Sequence, residues 1–142
     1  MADLELVLVD SSVWIRFFRV EGSAEARVLD TLLALGPVAT CAPIRAEVVS
    51  GARTTREFNQ LRELFAALVD LDPPRGTWHR IEEHRFTLAR RGYQASIIDV
   101  MIALTAEAHH AALWTLDKDF IRLSTVIPFD AFQSHQLERQ AR

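Results

Sequence analysis

The sequence predicts an α/β domain: a five-stranded, mainly parallel sheet with helices on both faces. Three observations lead there. Short apolar runs rich in strand formers alternate with segments of helical spacing along the chain, and parallel strands need such crossover helices. The first run, Leu6 to Val9, is wholly apolar, as in a strand buried on both faces. With 142 residues, 49% of them hydrophobic, there is material for one core, and no repeat, low-complexity segment or linker divides residues 1–142.

The elements follow in order. Leu6 to Val9 is too short for a helix and reads as the first strand. Ser12 to Phe18 is a short helix, capped by Ser11 or Ser12. Ser23 caps the next, with Ala26, Leu29, Leu32 and Leu33 at helical spacing and Gly36 as its stop. Val38 to Cys41 is the second strand, and Pro43 opens a helix over Ile44 to Val49. Thr54 and Glu57 form a capping box ahead of the stripe Phe58, Leu61, Leu64, Phe65 and Leu68. Val69 to Leu71 is a short third strand, broken by Asp72-Pro73-Pro74. Trp78 to Ala89 is a helix ending before Gly92, and Ile97 to Ala108 is another. Ala111 to Leu116 is the fourth strand, Asp119 to Leu123 a helical turn and Thr125 to Ile127 the fifth strand. From about Gln133 the tail is polar and frays or forms a loose last helix.

A formal charge of −3 and pI ≈ 5.9 give no bulk support to nucleic-acid binding, which depends on where basic groups sit rather than on their sum. Lys118 is the one lysine. Arginine suits bidentate phosphate contacts, although a G- and C-rich genome explains the bias as well. The single cysteine, Cys41, rules out an internal disulfide and multi-cysteine metal sites. The start, Met1-Ala2-Asp3-Leu4-Glu5, lacks the basic region of a signal peptide, and no apolar run approaches a membrane span, so the expected location is cytoplasmic.

The informative acids are those set in apolar sequence. Asp10 ends the first strand, where ligand sites of parallel sheets lie; an Asx turn or helix cap is the ordinary alternative. Asp99 lies in a helix apolar on nearly every face, and a buried acid must be paired, metal-bound or protonated. Its spacing from Ser96 also fits a capping box, and the two roles are compatible. Glu47 flanks a buried stripe, but a solvated Glu paired with an Arg looks the same. Asp117 and Asp119 follow the fourth strand and equally suit a helix start. Two acids ending strands and two starting helices of one sheet bring several carboxylates to one edge. A divalent cation resolves their repulsion, and all-oxygen ligands suit Mg²⁺ or Mn²⁺ acting on phosphates.

Other constellations are missing. There is no glycine-rich phosphate loop. His109 and His110 are adjacent and cannot share a helix face, so they are read as helix-end residues bonded to its carbonyls. Trp14, Trp78 and Trp114 are read as core or interface residues. Arg53, Arg56 and Arg62, with Arg75, Arg80, Arg85, Arg90 and Arg91, either rim a phosphate groove or lie on ordinary solvated faces.

Over nearly its whole length the chain resembles the PIN-domain nucleases, and within them the VapC toxins of toxin–antitoxin pairs. The resemblance rests on four stretches in order: Val7 to Ile15 around Asp10, Ile44 to Val48 around Glu47, Ser96 to Ala103 around Asp99, and Leu113 to Phe120 with Asp117 and Asp119. It implies a five-stranded parallel sheet with an acidic pocket at the strand ends, Mg²⁺- or Mn²⁺-dependent cleavage of RNA, dimerisation, and a VapB-type antitoxin as partner, with no membrane role. Asp10 and Asp99 would hold the metal, Asp117 would complete its shell, and Glu47 would bind a second ion or orient the attacking water. Asp117 is preferred as the fourth acid because it lies nearer the strand end, with Asp119 in a supporting or second-metal role. Ser12 or Thr115 would hydrogen-bond a carboxylate or the scissile phosphate. Two other readings remain open from sequence: a metal-dependent phosphatase or phosphotransferase, disfavoured because position 12 is Ser and no Asp-x-Asp pair follows the first strand, and a non-catalytic RNA- or protein-binding module whose acids only cap helices.

Overall fold

The structure, a computed structural model, describes residues 5–134. Its elements are β1 (Val7–Val9), α1 (Ser11–Arg19), α2 (Ala24–Leu35), β2 (Val38–Thr40), α3 (Ala42–Ser50), α4 (Thr55–Ala66), β3 (Val69–Asp70), α5 (Thr77–Arg90), α6 (Ile97–Ala108), β4 (Ala112–Trp114), α7 (Asp119–Leu123) and β5 (Asp130–Ala131). The five strands lie in the order β3-β2-β1-β4-β5, and every pair is parallel. α1 to α4 pack on one another as one group, and α6 packs on α5, α7 and β4 as a second. Right-handed crossovers on either side of β1 place the two groups on opposite faces.

Strand order reverses at β1. The chain first steps outward through β2 to β3, then returns by α5 and α6 to lay β4 on the other side of β1. A crevice at the carboxyl ends of β1 and β4 is the result. The central strands are buried on both faces and apolar except for Thr40: Leu8, Val9, Val38, Ala39 and Leu113 are all buried. Trp14 fills the space under α1 and α4, with its ring centroid 4.9 Å from that of Phe65.

The helix ends follow local chemistry. Ser23 accepts the Ala26 N–H at 3.1 Å, and Thr54 accepts the Glu57 N–H at 3.1 Å. Gly36 closes α2 at φ 93°, a left-handed conformation open to glycine at little cost. At α1 the expected cap is not made. The capping position is Asp10, no side chain caps the helix, and the Ser12 hydroxyl is committed elsewhere.

Several expectations are corrected. The fifth strand is Asp130–Ala131, not Thr125 to Ile127. The N–H groups of Thr125, Val126 and Ile127 turn back onto the carbonyls of Arg122 and Leu123, which leaves no ladder for β4. β4 pairs instead beyond Pro128, where the Phe132 N–H reaches the Leu113 carbonyl at 2.9 Å. β4 also stops at Trp114, two residues earlier than expected. α6 is buried from Val100 to Ala106, but Ile97 and Ile98 at its start are exposed. Of the three tryptophans read as core or interface residues, Trp14 and Trp114 are buried in the core, and Trp78, 62% exposed, lies outside the core of the described residues. The His109 ring bonds the Asp72 carbonyl at 2.7 Å rather than its own helix, which ties the Pro73-Pro74 turn to the end of α6. The polar tail lies outside the described residues from position 135 onward.

Candidate metal centre

Asp10 is 5% exposed at the end of β1, in the crevice beside β4. As an ordinary turn or cap residue its carboxylate would accept a backbone N–H at the start of α1, and among the described hydrogen bonds it accepts none, the Val13 and Trp14 N–H groups going to the Asp10 carbonyl. Its Oδ2 instead takes two hydroxyls, Ser12 Oγ at 2.8 Å and Thr115 Oγ1 at 2.8 Å. The sheet dictates this. Val9 is in register with Trp114 and the Asp10 N–H bonds the Trp114 carbonyl, so Thr115 lies directly beside Asp10. The same hydroxyls organise the next loop: Ser12 Oγ accepts the Leu116 N–H at 3.0 Å, and Thr115 Oγ1 accepts the Asp117 N–H at 3.0 Å. Both hydroxyls assigned to a carboxylate or phosphate therefore meet the Asp10 carboxylate.

From the other side α6 delivers Asp99. Ser96 accepts the Asp99 N–H at 3.3 Å, so the capping spacing is used, while no described hydrogen bond ties up the Asp99 carboxylate. Carboxylate oxygens of Asp99, Asp117 and Asp119 lie within 4.8 Å of one another. Asp117 does take part in a turn, since its Oδ1 accepts the Asp119 N–H at 2.9 Å. That bond draws Asp119 into the group, and both acids after β4, rather than one, face Asp99. Asp10 and Glu47 stand outside this tight triad. Their charges nonetheless act on it: Asp99 is pushed up to about 6, first by burial and then by Asp10, Asp117, Asp119 and Glu47. Glu47 is exposed on α3, in a groove of about 370 Å³ that it shares with Arg19 and Arg53. The neighbouring Arg45 pairs with Asp70 at 2.8 Å rather than with Glu47.

No described ion pair involves Asp10, Glu47, Asp99, Asp117 or Asp119. A half-buried acid whose charge is disfavoured first by burial and then by neighbouring acids, beside a buried Asp10 whose Oδ2 is already fixed, is a donor set suited to a hard divalent cation. The nearby Cys41 does not compete as ligand or nucleophile. Burial, reinforced by Asp70 and Asp10, pushes its thiol up to about 11.

Four of the eight arginines on the expected basic faces are spent on structure. Arg80 pairs with Glu107, Arg85 Nε donates to the Ala95 carbonyl, and Arg62 and Arg90 lie over Phe58 and Phe86. Two residues the sequence did not mark lie at the rim of the acids. Arg122 follows Asp119 by one helical turn, and its guanidinium sits 4.7 Å from the Tyr93 ring centroid. Burial and then Asp119 and Asp99 raise the Tyr93 hydroxyl. The available signal was the i, i+3 spacing of Asp119 and Arg122.

A parallel sheet with carboxylates gathered where its strand order reverses makes this an α/β domain with an acidic crevice, and the PIN domain model matches residues 7–126: the chain belongs to the PIN-domain family. It is 32% identical over 119 residues to VapC ribonuclease Mb1587 of Mycobacterium bovis and to ribonuclease VapC11 of Mycobacterium tuberculosis, covering 81% of this chain and 89% of each relative. Within the PIN domains it thus falls among the VapC ribonucleases. Similar folds include VapBC-1 of nontypeable Haemophilus influenzae (TM-score 0.72, 16% identity, 92% of this chain and 98% of that one). VapBC2 of Rickettsia felis, solved with a promoter DNA fragment, matches with a TM-score of 0.69 at 20% identity over 90% of this chain and 97% of that one.

Proposed function

We propose that the chain is the toxin of a type II toxin–antitoxin pair, an endoribonuclease that cleaves RNA phosphodiester bonds at the Asp10–Asp99–Asp117 cluster with Mg²⁺ or Mn²⁺. The observation that carries the proposal is the convergence of Asp99, Asp117 and Asp119 within 4.8 Å, beside a buried Asp10, with no cationic side chain among the described residues paired to any of them. The 32% identical ribonucleases support the reaction class.

Asp10 and Asp99 would hold the cation, and Asp117 would complete the set. Asp119 supports Asp117 through the turn bond. Glu47, across the crevice, orients the attacking water or binds a second ion. Ser12 and Thr115 fix Asp10 in one rotamer, which serves a reaction that depends largely on positioning. A bound divalent cation would lower the pKa of a coordinated water and offset charge on the phosphate. The partners we assign are an RNA substrate, a VapB-type antitoxin and a second copy of the chain. Trp78 and Phe86 on α5, 62% and 64% exposed, offer apolar surface for such assembly. We place the activity in the cytoplasm, a setting that suits a chain with one reduced, buried cysteine.

The test is cleavage of an end-labelled single-stranded RNA pool with Mg²⁺, with Mn²⁺ and with EDTA. Cleavage should need the metal and vanish in Asp10→Asn and Asp99→Asn. Metal-dependent cleavage that survives in the double variant would overturn the assignment. Turnover of small phosphoesters with no action on RNA would favour a phosphatase.

A further inference from the structure

We propose that Arg122, stacked on Tyr93, is the phosphate-binding residue that seats the RNA strand against the carboxylate cluster. The inference rests on the endoribonuclease reading above. It starts from charge. Asp10, Glu47, Asp99, Asp117 and Asp119 all act on one crevice, and one divalent cation offsets only part of that charge. A polyanion approaching the crevice is repelled unless a fixed positive group stands beside it.

Arg122 meets that need by position. It lies on α7 one turn after Asp119, on the same helix face, and none of the described ion pairs takes its guanidinium. Its place over the Tyr93 ring, 4.7 Å from the centroid, restrains the guanidinium, and a guanidinium can grip a phosphate in bidentate fashion. The platform is itself anchored. The Tyr93 N–H donates to the Leu88 carbonyl at 2.9 Å, and two residues later the Ala95 carbonyl accepts Arg85 Nε at 2.8 Å. The next residue, Ser96, caps the helix that carries Asp99. Tyr93 and Asp99 are thus positioned by one short stretch of chain, and Arg122 and Asp119 by another. Arg62 and Arg90 also stack on aromatic rings, but their helices, α4 and α5, carry no acid of the cluster. Lys118 lies just before Asp119, yet no described hydrogen bond, ion pair or aromatic ring holds its side chain in place.

Arg122 is the residue that would contact substrate, and Tyr93 is a positioning residue acting through it. Steady-state cleavage of a short fluorescein-labelled single-stranded RNA in Mn²⁺, over a range of KCl, separates these roles. Arg122→Ala should raise KM about tenfold, the loss of one charge-assisted contact, with kcat within about threefold of the parent. Its log–log salt slope for kcat/KM should flatten by about 0.7, one phosphate contact to a single strand. Arg122→Lys should keep the parent's slope with an intermediate KM. Tyr93→Ala should raise KM in the parent and add nothing in the Arg122→Ala background. The Mn²⁺-induced thermal shift should persist in every variant, which also verifies folding. If Arg122→Ala keeps the parent's KM and salt slope, or loses kcat and the Mn²⁺ shift together, the subsite is wrong while the ribonuclease assignment stands. If the parent cleaves no RNA, the endoribonuclease reading fails and takes the subsite with it.

Discussion

Replacing Asp99 by Asn tests the electrostatic account of the crevice directly. Without a cation, Asp99 titrates near 6 rather than at its ordinary 3.8, because burial and four neighbouring acids disfavour its charged form. The folded state therefore binds a proton that the unfolded chain releases between about pH 4 and pH 6, and stability falls as pH rises through that window. A shift from 3.8 to about 6 corresponds to about 3 kcal/mol, reduced to about half by solvent screening because the side chain is only half-buried. The variant also loses an acid in the first turn of α6, worth about 0.3–1 kcal/mol. In EDTA at pH 7.5, Asp99→Asn should thus be more stable than the parent by about 1 kcal/mol, about 2–4 °C in Tm for a domain of this size. At pH 4 the gain should disappear. Saturating Mn²⁺ should reverse the order, since the parent gains a ligand-linked stabilisation that the variant cannot match. Urea titrations at the two pH values, with and without Mn²⁺, give all four numbers. A variant no more stable than the parent at pH 7.5 in EDTA, or equally shifted at both pH values, would refute the reasoning.

Further outcomes follow from the same structure. Thr115→Val leaves the buried Asp10 with one hydroxyl instead of two and should cost about 1–3 kcal/mol by urea denaturation, with weaker Mn²⁺ binding by calorimetry. Cys41, buried and with a thiol near 11, should resist iodoacetamide at pH 8 in the folded protein and react at once in denaturant. Leu113→Ala, in the middle of β4 and fully covered, should lose about 2–5 kcal/mol in the same denaturation assay. His109→Ala frees the Asp72 carbonyl and should speed amide exchange around Leu71 to Gly76, leaving the amides of β1 protected.

The sequence alone determined the order of elements and the sheet's parallel character. Short apolar runs separated by capped helices admit few other arrangements, and the signals are local: Ser23 with Ala26, Thr54 with Glu57, Gly36 at the end of α2. It also marked Asp10 and Asp99 as acids in apolar surroundings, since a lone carboxylate there needs a reason. What it could not determine was every feature set by partners distant in the chain. Thr125 to Ile127 has strand composition, yet its N–H groups close onto α7, and the edge of the sheet is taken by Asp130–Ala131. Whether a tryptophan is core or surface was likewise open: Trp14 is buried and Trp78 is 62% exposed, because exposure depends on what packs opposite. The pairing of Asp10 with Thr115 spans 105 positions and exists only because β1 and β4 lie side by side where the strand order reverses. The same juxtaposition brings Asp117 and Asp119 up to Asp99 and sets Arg122 on Tyr93. Local pattern encodes which segments are helix or strand; which carboxylates share a cation is decided by strand register and crossover, and those are properties of the packed sheet.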